Sequence, residues 1–254
     1  MTRAPPVGVD PDAWRRLTAR PIAHRGLWDQ AAPENSLAAS EAAARGGYGL
    51  ELDVQLTADG VPVVFHDDRL ERMTGHHGRV VERTASQLAQ MRLAGTEETI
   101  PTLAETLECI GRRVLALIEL KVLGGEEGPL EHAVAEALDR YGGPVAVISF
   151  NPKALGWFAE ARPDLLRGLN SMAYHDAANW PLSPDQRRGL MELEHLHVAK
   201  PHFLSLGLDM LPSPSAKAAR AQGTPVICWT VRSRAQWAAA SAWCDNLMFE
   251  GWRA

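Results

Sequence analysis

Short apolar runs alternate with helix-patterned stretches along nearly the whole chain. The β-like runs are Pro21–Ala23, Gly49–Val54, Pro62–Phe65, Val114–Leu120, Val145–Ser149, Leu166–Leu169, Phe203–Leu206, Val226–Thr230 and Asn246–Phe249. Between most of them lie helical patterns at Ser36–Arg45, Leu130–Arg140, Pro152–Glu160, Pro184–Leu193, Pro214–Gln222 and Arg234–Ala242. Their starts are well marked: Ser36 suits an N-cap, and proline stands at the first helical position of several others. Strand and helix alternating without a linker or compositional break predict one parallel α/β domain over residues 1–254.

Nine strands are one too many for an eight-stranded barrel, and the surplus has a local explanation. Only Thr57-Ala58-Asp59-Gly60 separates two of the runs. A parallel crossover needs about a dozen residues, so this pair is a hairpin. With Asp59-Gly60 as a two-residue turn, Gln55 opposes Val64 and Asp53 opposes His66. A three-residue loop would turn His66 off that face. Without the return arm eight strands remain, which predicts a TIM (β/α)8 barrel with a β-hairpin after its second strand. Residues 68–110 read as a small helical insertion before the strand carrying Glu119, with helices at Thr84–Met91 and Leu103–Cys109 and a loop at Met73–Arg79. An excursion of that length after a barrel strand is expected to wall a pocket.

Composition narrows the partners. Hydrophobic content of 46% over 254 residues supports a sizeable core, and 22% charged residues is ordinary for a soluble protein. A net charge of −5 argues against nucleic acid as a partner. Cys109, Cys228 and Cys244 are far apart and form neither a metal pair nor a disulfide framework, which fits a reducing compartment. Residues 1–20 lack the apolar stretch of a signal peptide, and no apolar run reaches membrane-spanning length. The expectation is a cytoplasmic protein without stable membrane association.

The chemistry concentrates at strand ends. Glu51 and Asp53 alternate along one strand and so point the same way, and two carboxylates held together need a cation between them. A hard divalent metal is the first inference. Glu119 closes another apolar strand and shares a face with Lys121; the two make either a buried salt bridge or a third metal ligand beside a phosphate-binding lysine. With Glu51 and Asp53 in the same barrel, the metal reading leads. His24 and His66 both fall at strand C-termini, the face on which barrel active sites are built, which favours an acid–base couple over structural roles. Arg25 supplies a fork for phosphate oxygens. His24 and Arg25 are neighbours on a strand, so both enter the mouth only if the strand ends there, with Gly26 relaxing the backbone. Phe150 and Trp229 are either core or an apolar wall for a substrate. The remaining histidines read as solvated or structural, and no dinucleotide, P-loop or serine-hydrolase motif is present.

The chain resembles the glycerophosphodiester phosphodiesterase family, within the PLC-like phosphodiesterase TIM barrels. The resemblance runs from Ile22 to about Thr230 and rests on Ala23-His24-Arg25-Gly26, Pro33-Glu34-Asn35-Ser36, Glu51-Leu52-Asp53-Val54, Asp59 through Asp67, Ile118-Glu119-Leu120-Lys121, Ser149-Phe150 and Trp229-Thr230-Val231. It implies that Glu51, Asp53 and Glu119 bind one Mg²⁺ or Ca²⁺ and that His24 and His66 are the catalytic pair. It further implies that Arg25 and Lys121 contact the phosphate, that Glu34 and Asn35 shape the site, and that Phe150 and Trp229 touch the substrate. The implied reaction is metal-dependent hydrolysis of a small-molecule glycerophosphodiester to sn-glycerol 3-phosphate and an alcohol, through a cyclic phosphate. Rival readings are phospholipase D-like action on lysophospholipids or sphingomyelin, and a non-catalytic phosphodiester-binding barrel. The family's closing Asp-Gly-Ile-Ile-Thr-Asp-Arg-Pro is here Asp245-Asn246-Leu247-Met248-Phe249-Glu250-Gly251-Trp252. That departure is expected to alter the rim beside the first strand and to leave the catalytic positions untouched.

Overall fold

All nine apolar runs become strands: β1 (Ile22–Ala23), β2 (Gly49–Leu56), β3 (Pro62–Val64), β4 (Ala116–Leu120), β5 (Val145–Ser149), β6 (Leu166–Ser171), β7 (Phe203–Gly207), β8 (Val226–Val231) and β9 (Asn246–Phe249). The structure, a computed structural model, describes residues 4–122, 127–175 and 182–254. The sheet runs β1-β9-β8-β7-β6-β5-β4-β2 and closes through a β1–β2 pairing, every barrel pair being parallel. β3 lies outside the ring, antiparallel on β2. The fold is a TIM barrel with the hairpin and the helical insertion in the expected places.

Side-chain alternation divides the barrel into an inner plug and an outer layer. Ile22, Leu117, Ala146, Leu166, Phe203, Ile227 and Met248 point inward and fill the lower barrel. Leu52, Ile118, Val147, Leu169, Leu204 and Cys228 point outward under the helices. Gly168 is part of the plug: a Cβ there would lie 2.3 Å from the Phe203 ring, so only glycine admits that ring. Truncating Phe203 would cost about 3–5 kcal/mol by opening this plug. The plug is completed by a helix at Pro11–Leu17 that the sequence reading did not anticipate. Asp10 caps it, and Val9, Ala13 and Leu17 enter the plug. Asn246 Nδ2 ties this helix to the start of β9 through the carbonyls of Leu17 (2.7 Å) and Arg20 (2.8 Å).

The hairpin register differs from expectation by one residue. Val54 pairs with Val64, Gln55 with Val63 and Leu56 with Pro62. The loop is Ala58–Gly60 because Thr57 closes it: its amide donates to Val61 O, and its hydroxyl oxygen accepts from Val61 N at 2.9 Å. Asp59 then accepts from the Thr57 hydroxyl and from Ala85 N, a tertiary contact that local turn preference does not contain. His66 therefore does not reach the site by register. Phe65, not His66, meets Asp53, and its ring turns into a satellite core with Leu70, Val80, Leu88 and Ile100. Gln55 Nε2 donates to the carbonyls of both Phe65 and Asp67, each at 2.8 Å, and this clamp fixes His66 between them.

The insertion is less helical than its sequence pattern. Glu71–Thr74 and Ala85–Leu88 are single turns, and Leu103–Ile110 is its one longer helix among the described residues. Among the described residues no helix is long and apolar enough to cross a membrane.

Candidate active site

The C-terminal ends of the strands open into a cleft of about 390 Å³, the size of a small-molecule site. At its first corner β1 stops at Ala23, and Arg25 (φ 59°) and Gly26 (φ 88°) turn left-handed. Gly26 passes so close to the following helix that a Cβ would lie 2.8 Å from Ala39. This turn brings both His24 and Arg25 into the cleft. His24 Nδ1 is 2.8 Å from Glu250 Oε2, and its Nε2 is 3.9 Å from Glu51 Oε2. The Arg25 amide donates to Glu51 Oε2 (3.0 Å), while its guanidinium meets Glu34 (2.9 Å) and Asp53 (3.2 Å).

Parallel pairing of β2 and β4 sets Asp53 beside Glu119, and Glu51 follows two residues back on the same face. All three carboxylates are buried, and one oxygen from each falls within 4.8 Å of the others. Asn35, itself left-handed at φ 61°, donates from Nδ2 to Asp53 Oδ2 (2.9 Å) and accepts from Asp53 N (3.3 Å). Lys121 Nζ lies between Asp53 Oδ1 (2.9 Å) and Glu119 Oε1 (2.7 Å). The buried salt bridge between Glu119 and Lys121 is formed, and it lies within the carboxylate cluster.

Arg25 and Lys121 are two cations against three carboxylates, and the imbalance falls on Glu51. Its Oε1 is buried with no hydrogen-bond partner among the described residues. Burial, then the charges of Asp53 and Glu119, push its carboxyl well above the usual carboxylate range. Asp53 goes the other way. Burial raises it, but Lys121, His66, Arg25 and His24 outweigh that and hold it low. Burial works against the Lys121 ammonium, yet Asp53 and Glu119 keep it firmly charged. A buried, all-oxygen donor set with one unmatched oxygen fits a hard divalent cation.

His66 Nδ1 lies 2.6 Å from Asp67 Oδ1. Arg72, from the insertion, holds Asp67 and Glu34 at once (2.5 and 2.6 Å). Across the cleft Phe150 stands edge-on to Trp229, with ring centroids 5.6 Å apart and planes at 89°. Phe150 and Trp229 both line the cleft. Asn35 supports the cluster from behind, while every other predicted site residue lines the cleft.

Several lining residues escaped the sequence reading, among them Asn170, Ser205, Arg232 and Glu250. Glu250, in the altered tail, meets His24 Nδ1, so the tail reaches one of the predicted catalytic positions. Burial alone would raise its carboxyl, but His24 and Arg232 bring it down to about 2. Its signal was available: it stands where the family pattern has aspartate, one residue past β9. The other histidines lie outside the cleft. His202, against Arg167, is pushed down to about 4 by burial and then by that charge.

The sequence pattern of the glycerophosphoryl diester phosphodiesterase family matches residues 24–249. The chain is 37% identical over 160 residues to a Caldanaerobacter subterraneus glycerophosphodiester phosphodiesterase, covering 58% of this chain and 65% of that protein. It is 38% identical over 110 residues to Homo sapiens glycerophosphodiester phosphodiesterase 1, covering 39% of this chain and 33% of that protein. The chain thus spans only about a third of the human relative's length. An Oleispira antarctica phosphodiesterase, solved in complex with the product sn-glycerol-3-phosphate, superposes with a TM-score of 0.79 at 28% identity, covering 94% of both chains. The chain belongs to the glycerophosphoryl diester phosphodiesterase family.

Proposed function

We propose that this protein hydrolyses glycerophosphodiesters to sn-glycerol 3-phosphate and an alcohol, with Mg²⁺ or Ca²⁺ bound by Glu51, Asp53 and Glu119. The observation that carries the reading is the buried carboxylate cluster with a histidine on either side, each histidine oriented by its own acid. When bound, the metal supplies charge to a phosphoryl oxygen and eases ionisation of a nearby hydroxyl. Arg25 and Lys121 face the phosphate oxygens. His24, held by Glu250, takes the proton from the glycerol 2-hydroxyl as its oxygen attacks phosphorus. His66, held by Asp67, gives a proton to the departing alkoxide, and the phosphate is left cyclic. Water then opens the ring with the two histidines exchanging roles. The product carried by the Oleispira antarctica relative is the one this reaction would release. Residues 1–254, with the insertion at 68–110, act as one unit in this reading.

The test is release of sn-glycerol 3-phosphate from glycerophosphocholine and glycerophosphoethanolamine with Mg²⁺, Ca²⁺ or a chelator. The reading expects metal-dependent release that Glu51→Ala abolishes. Release that survives both the chelator and Glu51→Ala would overturn it. Binding without turnover would favour the non-catalytic barrel, and choline release from lysophosphatidylcholine alone would favour the phospholipase D-like one.

A further inference from the structure

Two buried polar side chains on the wall opposite β2 serve none of these steps. Asn170 on β6 and Ser205 on β7 are directly paired in register, and both line the cleft. They are 2% and 0% exposed. Asn170 Nδ2 donates to Glu119 Oε2 at 3.1 Å, which fixes the amide and leaves its Oδ1 as the free end. That Oδ1 and the Ser205 hydroxyl have no hydrogen-bond partner among the described residues. Buried polar groups are rarely left unmatched, and a pair of them at a cleft floor marks a place where a ligand completes the hydrogen bonding.

What fits between an amide oxygen and a hydroxyl is another hydroxyl. It donates to Asn170 Oδ1 and accepts from Ser205 Oγ. The position selects which one. The floor is closed from below, where the Phe203 ring lies over Gly168, each two residues before Ser205 and Asn170 on its strand. A departing alcohol has to leave through the open mouth, so the end of the substrate that stays lies against this floor. Through Asn170 and Glu119, the floor is also one side chain away from the carboxylate cluster that would receive the 2-hydroxyl.

Resting on the activity given above, we propose that Asn170 and Ser205 form a specificity floor for the free terminal hydroxyl of the glycerol unit. A fatty acyl group at that hydroxyl removes the donor that Asn170 needs and puts a chain against a closed wall. The floor therefore selects deacylated glycerophosphodiesters and rejects lysophospholipids.

The experiment compares glycerophosphocholine with 2-hydroxypropyl phosphocholine, which keeps the attacking hydroxyl and lacks the terminal one. Wild-type kcat/KM is expected to favour glycerophosphocholine by at least about 100-fold, and Ser205→Ala to collapse that ratio about tenfold or more. In parallel, calorimetry follows sn-glycerol 3-phosphate and 2-hydroxypropyl phosphate binding to metal-loaded protein. The same preference, and the same collapse in Ser205→Ala, are expected there. A wild type that treats the two substrates alike overturns the floor, as does a Ser205→Ala that slows both equally. If wild type turns over no glycerophosphodiester, the proposed activity fails, and the calorimetric preference alone decides the floor.

Discussion

His24 Nδ1 and Glu250 Oε2 lie 2.8 Å apart although 226 residues of chain separate them. The contact exists because β1 and β9 are neighbours in the closed ring, so that the residue following each strand meets the other above the barrel. Arg232 takes the second Glu250 oxygen at 2.5 Å. Held at about 2 by His24 and Arg232 against the pull of burial, the Glu250 carboxyl stays ionised through the working range and fixes the His24 tautomer.

Glu250→Gln keeps the shape and removes the charge. It is expected to lower kcat about 100-fold, part of the 10²–10⁴ that acid–base catalysis contributes, with little change in KM. Glu250→Asp, which restores the residue of the family pattern, should recover part of the loss. An unchanged kcat and pH–rate profile in a folded Glu250→Gln would remove Glu250 from the mechanism.

Arg72 links the insertion to the site through Asp67 and Glu34, and it is half-exposed. Exposed ion pairs contribute only about 0–1 kcal/mol, so Arg72→Met should barely shift the melting temperature. Its effect belongs to His66, whose partner Asp67 loses its anchor. The expected result is a fall in kcat of about tenfold, within the range of acid–base effects. A stability loss as large as that of a core truncation, without a kcat effect, would make Arg72 a structural strut.

How much of this was legible in the sequence follows from how local each feature is. The strands were readable because each is an apolar run between turn residues, and Glu51, Asp53 and Glu119 stood out as acids within such runs. The helix at Pro11–Leu17 carried its own signal, an Asp10 cap directly before Pro11 at the first helical position. The hairpin register depended on Ala85 reaching back to Asp59, a contact 26 residues long. Asn170 and Ser205 carried no motif at all. Only barrel closure brings them to face the carboxylates.

Lys121 and a divalent cation are two ways of neutralising the same acids. Lys121→Met leaves Asp53 and Glu119 buried without their ammonium, a loss expected to cost about 3–5 kcal/mol in metal-free protein. Millimolar Mg²⁺ or Ca²⁺ should recover much of that stability, because the metal binds only the folded state. Thermal melts of wild type and variant, with chelator and with metal, test this. A deficit that metal leaves untouched would mean that Lys121 stabilises the barrel by packing alone.

Glu51 gives the opposite sign. Burial and its acidic neighbours raise its folded pKa well above the unfolded value near 4.3, so above that pH the unfolded chain ionises freely while the folded one is held back. Stability contributed by the protonated group is full below the unfolded value and is lost as pH rises toward the folded one. Glu51→Gln cannot ionise, and so escapes the loss. Metal-free Glu51→Gln is therefore expected to melt higher than metal-free wild type at pH 7, by roughly 2–4 °C for each kcal/mol relieved. The two should converge near pH 4. Added Mg²⁺ or Ca²⁺ should raise the wild-type midpoint and leave the variant's where it was, because the variant lacks the carboxylate that closes the metal cluster. A Glu51→Gln that melts lower than wild type at neutral pH without metal would show that Glu51 is already satisfied by Arg25, and that the cluster does not need a divalent cation to balance it.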